Sequence, residues 1–191
     1  ALTSLNLREC TQITDLSPLA NYMALTSLDL SYCEQMTDQI LSTLPVLPEL
    51  QDLTLIECKQ ITDFSPLASC TALTSLNLRE CTQITDLSPL ASCTTLTNLF
   101  LSRCEQITDQ IFSTLPVLPA LTEIILWGCT QITDLSPLAS YTALTSLYLK
   151  NCDQITDLSP LANHPTLSEL IGPDGEEVDL TSLSNTQQPG P

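Results

Sequence analysis

The stretch Leu2–Ala20, LTSLNLRECTQITDLSPLA, returns letter for letter at Leu73–Ala91. Weaker copies open at Leu25, Leu50, Leu96, Leu121 and Leu144, and a degenerate one at Leu167, at spacings of 23, 25, 23, 23, 25, 23 and 23 residues. A unit of 71 residues is superimposed on the short one, so that 2–72 and 73–143 differ at only 19 positions. Self-similarity at this period means a stack of small supersecondary units, none of which buries its apolar face alone. Within each unit, Leu-x-x-Leu-x-Leu-x-x-Cys alternates with period two, as at Leu5 and Leu7, which predicts a short strand. Ser17 ahead of Pro18 predicts an N-cap followed by a proline at the first helical position, hence a short helical or 3₁₀ return turn. The 25-residue units replace that turn with 39–45 and 110–116, which leave room for a longer helix stopped by Pro45 and Pro116.

On these residues the chain resembles a leucine-rich repeat protein from Leu2 to about Leu170. The ninth-position Cys resembles the cysteine-containing repeats of F-box substrate receptors. The segment Ile13–Ala20, Ile-Thr-Asp-Leu-Ser-Pro-Leu-Ala, resembles repeats of bacterial internalins and similar protozoan proteins. The resemblance implies an α/β solenoid: a right-handed superhelix with a concave parallel β-sheet, short helical or 3₁₀ segments on the convex side, and a protein partner bound on the concave face. The repeats are expected over 1–183, with a degenerate C-terminal cap from Leu167 and a flexible tail over 184–191. Asp174-Gly175 predicts a turn, and Glu176–Leu180 a short extended cap over the last repeat.

Composition bounds the partners. Five Lys+Arg against 22 Asp+Glu give a net charge of −17. Nucleic acid and anionic membranes both require a basic footprint, so neither is expected as a partner. No apolar run approaches the roughly 18 residues of a membrane span, and no signal-peptide pattern opens the sequence. The 43% apolar content is too high for disorder. With 38 leucines and only eight aromatics, the core reads as many small identical layers. Nine cysteines, mostly unpaired, favour a reducing, cytoplasmic location; a secreted or surface protein stays open.

Two repeated columns look like sites. Cys10, Cys33, Cys58, Cys81, Cys104, Cys129 and Cys152 lack the close pairs of a zinc site, and the expectation is inward-packed thiols acting as weak donors. Cys70 and Cys93, at equal offsets in consecutive return segments, form the one plausible disulfide or reactive pair. Asp15, Asp38, Asp63, Asp86, Asp109, Asp134 and Asp157 could line up for calcium, but no glycine-bearing calcium loop accompanies them. Each stands two residues before the start of a return turn, where local backbone hydrogen bonding is the simpler role. The Gln12 and Thr14 columns read as polar stitching between turns. The single histidine, His164, reads as a loop residue. No nucleophile–base pair or phosphate loop is legible, so neither catalysis nor a cofactor or metal is expected.

The chain can be compared with itself. Taking the second, third, fifth, seventh and eighth residues of each unit as the open side, 8 of 15 such positions differ between the two long copies, against 11 of 56 elsewhere. Drift at solvated positions accounts for some of this, and a selected binding surface would produce it too. The fifth column reads Asn6, Asp29, Thr54, Asn77 and then Phe100, Ile125, Tyr148, while the seventh places Trp127 and Lys150 beside that apolar run. Arg103 flanks it, and Gly128 is expected to leave room for a partner. Exposed aromatics with Arg match the composition of binding hot spots. Phe100, Arg103, Ile125, Trp127, Tyr148 and Lys150 are therefore the expected partner-binding residues.

The first repeat starts at once after Ala1, which predicts an uncapped apolar end, a fragment of a longer protein, and an end-to-end homodimer through that layer. The function expected is a non-enzymatic scaffold for protein–protein interaction. The alternatives are a substrate-recognition domain of an F-box-type ubiquitin-ligase receptor, a microbial effector or surface protein, and a solenoid fused to an enzyme.

Overall fold

A three-residue strand at the head of each repeat is too short to stand alone, and its neighbours on both sides supply the pairing. The computed structural model describes residues 1–185. Among these, β1 (Ser4–Asn6), β2 (Ser27–Asp29), β3 (Asp52–Thr54), β4 (Ser75–Asn77), β5 (Asn98–Phe100), β6 (Glu123–Ile125), β7 (Ser146–Tyr148) and β8 (Glu169–Ile171) form one parallel sheet in chain order. The central residues Leu5, Leu28, Leu53, Leu76, Leu99, Ile124, Leu147 and Leu170 pair in succession without a slip. From Leu28 onward they are buried. A shift of one residue would turn this whole row to solvent, so the leucines themselves fix the register.

After each of β1 to β7 the backbone enters the left-handed region at the eighth position. Glu9, Tyr32, Glu57, Glu80, Arg103 and Asn151 have φ of 57–61°, and Gly128 has 71°. The amide there donates to the next repeat's seventh residue, as from Arg103 to the Trp127 carbonyl (2.7 Å) and from Gly128 to Lys150 (2.9 Å). This kink turns the ninth-position Cys into the core. Its thiol then donates to a sixth-position carbonyl of the preceding repeat: Cys81 to Leu55 at 3.0 Å, Cys104 to Leu78 at 3.2 Å, Cys129 to Leu101 at 3.1 Å, Cys152 to Leu126 at 3.0 Å. The cysteine column is thus the inward-packed weak donor that the repeat pattern predicts. Cys70 and Cys93 are free and fully buried, not a disulfide or a reactive pair. The Cys93 thiol faces the carbonyls of Leu67 and Cys70 at 3.5 and 3.6 Å.

The return turns are 3₁₀ at Ser17–Asn21, Ser65–Ser69, Ser88–Ser92, Ser136–Ser140 and Ser159–Leu161. Ser17 is the first residue of its turn rather than the N-cap expected from the sequence, and the cap position falls on Leu16. Capping passes to the aspartate column: the Asp15 carboxylate accepts the Ser17 amide (2.8 Å) and hydroxyl (2.7 Å), and Asp63, Asp86 and Asp134 repeat the arrangement. In the 25-residue units, α1 (Asp38–Leu41) and α2 (Gln110–Thr114) are single turns that end before Pro45 and Pro116, shorter than expected. The Ser42, Thr43 and Thr114 hydroxyls bond back to carbonyls three residues earlier, which competes with helix propagation. Here the aspartate reaches sideways instead. Asp38 accepts the Thr62 and Asp63 amides at 2.7 and 2.9 Å plus the Thr62 hydroxyl, and Asp109 does the same for Thr133 and Asp134. Partial burial acts to raise the pKa of both carboxyls, but these hydrogen bonds outweigh it and hold them below the usual carboxylate value. Gln stitching occurs beside the same turns, Gln60 donating to the Glu34 carbonyl and Gln131 to Glu105.

At the N-terminal end Leu5, Leu7, Cys10 and Ile13 are only partly buried. Leu5, Leu7 and Ile13 with Leu2 and Tyr22 line a largely apolar hollow of about 250 Å³. At the other end a hairpin closes the core: the Val178 amide donates to Leu170 and the Gly172 amide to Glu176, both at 2.8 Å, with Gly175 at φ 85° in the turn. Only Glu177 pairs in extended form, with Ile171. Leu180, expected in an extended cap, instead opens α3 (Leu180–Asn185), where Asp179 accepts the Thr181 amide at 2.9 Å. Of the tail expected over 184–191, the first two residues complete α3 and 186–191 lie outside the described residues.

Candidate protein-binding surface

Parallel pairing in strict register has a direct consequence for the fifth column: residues far apart in sequence become immediate neighbours. Asn77, Phe100, Ile125 and Tyr148 stand side by side across β4 to β7, and Ile171 of β8 continues the row. All four apolar members are half-buried, since each covers part of the next, yet none is enclosed. Ile171 was not among the expected residues, because Gly172-Pro173 breaks the repeat pattern immediately after it.

Trp127 projects beside this row and is 45% exposed. Its ring meets Tyr148 edge to face, with centroids 6.5 Å apart and planes at 82°, a favoured aromatic geometry. Burial, then the Glu169 and Glu123 carboxylates nearby, push the Tyr148 hydroxyl up to about 12. Glu123 also receives a hydrogen bond from the Asn98 side chain. Ser102, in the same column as Trp127, is buried rather than open, and its hydroxyl has no hydrogen-bond partner.

The basic residues frame the aromatics. Arg103 pairs with Glu80 at 3.3 Å. Gly128 does not leave the expected space: a side chain there would meet the Arg103 stem at 3.3 Å, and the glycine answers the positive φ of its column. The Lys150 stem lies along Gly175, where an added Cβ would come within 3.2–3.3 Å of it. Together Arg79, Ser102, Arg103, Trp127, Tyr148 and Lys150 line a cavity of about 590 Å³ on the strand face, with Ile171 at its edge. Phe100 and Ile125 continue the surface next to it. All six expected binding residues therefore gather on one face.

Among the described residues no three His, Cys, Asp or Glu side chains come together as a metal site, and no helix is long and apolar enough to cross a membrane. His164 is half-buried, its Nδ1 accepting the Leu167 amide at 3.1 Å, and burial lowers its affinity for a proton against the opposing carbonyls of Leu138 and Tyr141.

A family profile described as Leucine Rich repeats (2 copies) matches residues 48–92, 71–116 and 119–163, and one described as Leucine Rich repeat matches 23–44. Among solved structures, an internalin (inlC2) of Listeria monocytogenes is similar at 33% identity and TM-score 0.64, covering 88% of this chain and 70% of its own. A second Listeria monocytogenes internalin (inlF) shares 34% identity at TM-score 0.55 over 83% of this chain. The present chain spans about half of that protein, 51%. No curated protein sequence matches.

Proposed function

Since the chain belongs to the leucine-rich repeat family, we propose that it is a non-catalytic scaffold that binds a protein partner on the concave strand face, through Phe100, Ile125, Trp127 and Tyr148 with Arg103 and Lys150 at the rim. The observation that carries this reading is the unbroken apolar row across β5 to β8 with Trp127 exposed beside it. A pre-formed sheet presents these side chains with little backbone ordering cost, and aromatic and Arg anchors dominate interface energies. The likeness to two bacterial internalins supports the microbial setting over the ubiquitin-ligase receptor.

The test is the double variant Phe100→Ala/Trp127→Ala, set against Val46→Ala/Val117→Ala, which removes exposed valines outside the strands. The first pair should lose captured partners by a hundredfold or more in affinity, at about 2 kcal/mol per anchor, with an unchanged circular dichroism spectrum. The valine pair should bind as the parent does. Recovery of the same partners by the folded Phe100/Trp127 variant contradicts the reading.

A further inference from the structure

We propose that the cavity beside Trp127 takes an acidic peptide segment of the protein partner, with carboxylates seated at Arg79 and Lys150 and an aromatic or aliphatic side chain between them against Trp127, Tyr148 and Ile171. This rests on the reading of the strand face as the docking surface. The chain has five Lys and Arg against 22 carboxylates. Three of the five have an acidic partner: Arg8 with Glu9, Lys59 with Glu57, and Arg103 with Glu80. Among the described residues, no carboxylate lies within ion-pair reach of the other two, Arg79 and Lys150. Those two line the same cavity.

Their placement is regular. Arg79, Ser102, Trp127 and Lys150 occupy the seventh position of four successive repeats, so cation, hydroxyl, aromatic and cation follow one another across the sheet. Three interstrand steps separate the cations by about 14 Å, which about four residues of extended chain span. Tyr148 braces the Trp127 ring, and the Lys150 stem lies along Gly175, with no side chain between them. Ser102 supplies a hydroxyl without a protein partner at the cavity floor. In a molecule of net charge −17, an acidic segment is repelled from most of the surface, and two uncommitted cations beside exposed aromatics mark where it docks. Glu80, the one acidic residue lining the cavity, is already taken up by Arg103.

The experiment selects phage-displayed random dodecapeptides on the folded protein and, in parallel, on Arg79→Glu/Lys150→Glu and on Phe100→Ala/Trp127→Ala. Selected peptides are then titrated against all three proteins by isothermal calorimetry, because Trp127→Ala removes the single tryptophan. Peptides from the parent protein should be enriched in Asp and Glu flanking an apolar residue. Their affinity should fall about tenfold or more on the charge-reversed variant and weaken with added salt. Peptides that require Phe100 and Trp127 yet carry no acidic excess, or that ignore the charge reversal, overturn the acidic-segment proposal while leaving strand-face docking standing. Peptides indifferent to both variants, or no selected peptides at all, overturn the proposal as well, and the former outcome removes the docking surface with it.

Discussion

Titrated upward under reducing conditions, the protein should keep its fold to about pH 9 and then unfold cooperatively within roughly one further unit. Eight thiols drive this: Cys33, Cys58, Cys70, Cys81, Cys93, Cys104, Cys129 and Cys152 all have their ionisation pushed up, first of all by burial. Cys93 and Cys152 rise to about 11, and Cys81 and Cys129 to about 12. In the unfolded chain the same thiols ionise at the ordinary thiol value, about 8.5–9. A group whose folded value lies above its unfolded value stabilises the fold fully below the unfolded value and loses that contribution as pH climbs toward the folded one. Each thiol then withdraws about 1.4 kcal/mol per pH unit. The six most strongly shifted, Cys58, Cys81, Cys93, Cys104, Cys129 and Cys152, together withdraw about 8 kcal/mol per unit, comparable with the whole stability of a typical domain, about 5–15 kcal/mol. Far-ultraviolet circular dichroism and thiolate absorbance should therefore change together in one steep transition. Thiolate absorbance rising with a midpoint near 9 while the dichroism stays native would mean that the ninth-position cysteines are not in the core.

The second large effect distinguishes a stack of repeats from an ordinary globule. Leu99 lies at the centre of β5, fully buried between two covered layers, while Leu5 in β1 is only partly buried. Leu99→Ala should cost about 3–4 kcal/mol in urea unfolding, the loss of a leucine from a site that cannot collapse. Leu5→Ala, the same chemistry in the same repeat position, should cost about 1 kcal/mol, because its layer has a neighbour on one side only. Equal costs at the two positions would contradict the layered core.

The sheet was legible because period and register are properties of the letters: a leucine every second residue, restarted every 23 or 25, permits one parallel alignment. The same alignment brought Phe100, Ile125, Tyr148 and Trp127 together before any coordinates. What stayed hidden depended on backbone conformation. Six non-glycine residues occupy the left-handed turn at the eighth position, so nothing in the composition of that column signalled it, and Gly128 looked like an opening for a partner. The Ser-Pro dipeptide signalled a turn correctly, but the choice between serine and aspartate as its cap depends on which carboxylate the chain folds back to meet. Asp38 and Asp109 share their repeat position with the capping aspartates, yet the extra two residues of their units aim them at the next repeat. Ile171 was missed where the glycine and proline after it end the pattern, and the burial of Ser102 has no counterpart in the alternation of the strand.

Strand-face docking is tested most directly by placing a benzophenone-bearing residue at position 127 in one sample and at position 117 in another, then irradiating each with its bound partner. Val117 is as exposed as Trp127, at 54% against 45%, but lies outside the strands, so accessibility alone does not separate the two positions. The photoproduct should form from position 127 and not from 117. A partner captured from 117 alone would place the contact away from the aromatic row and refute the binding surface described here.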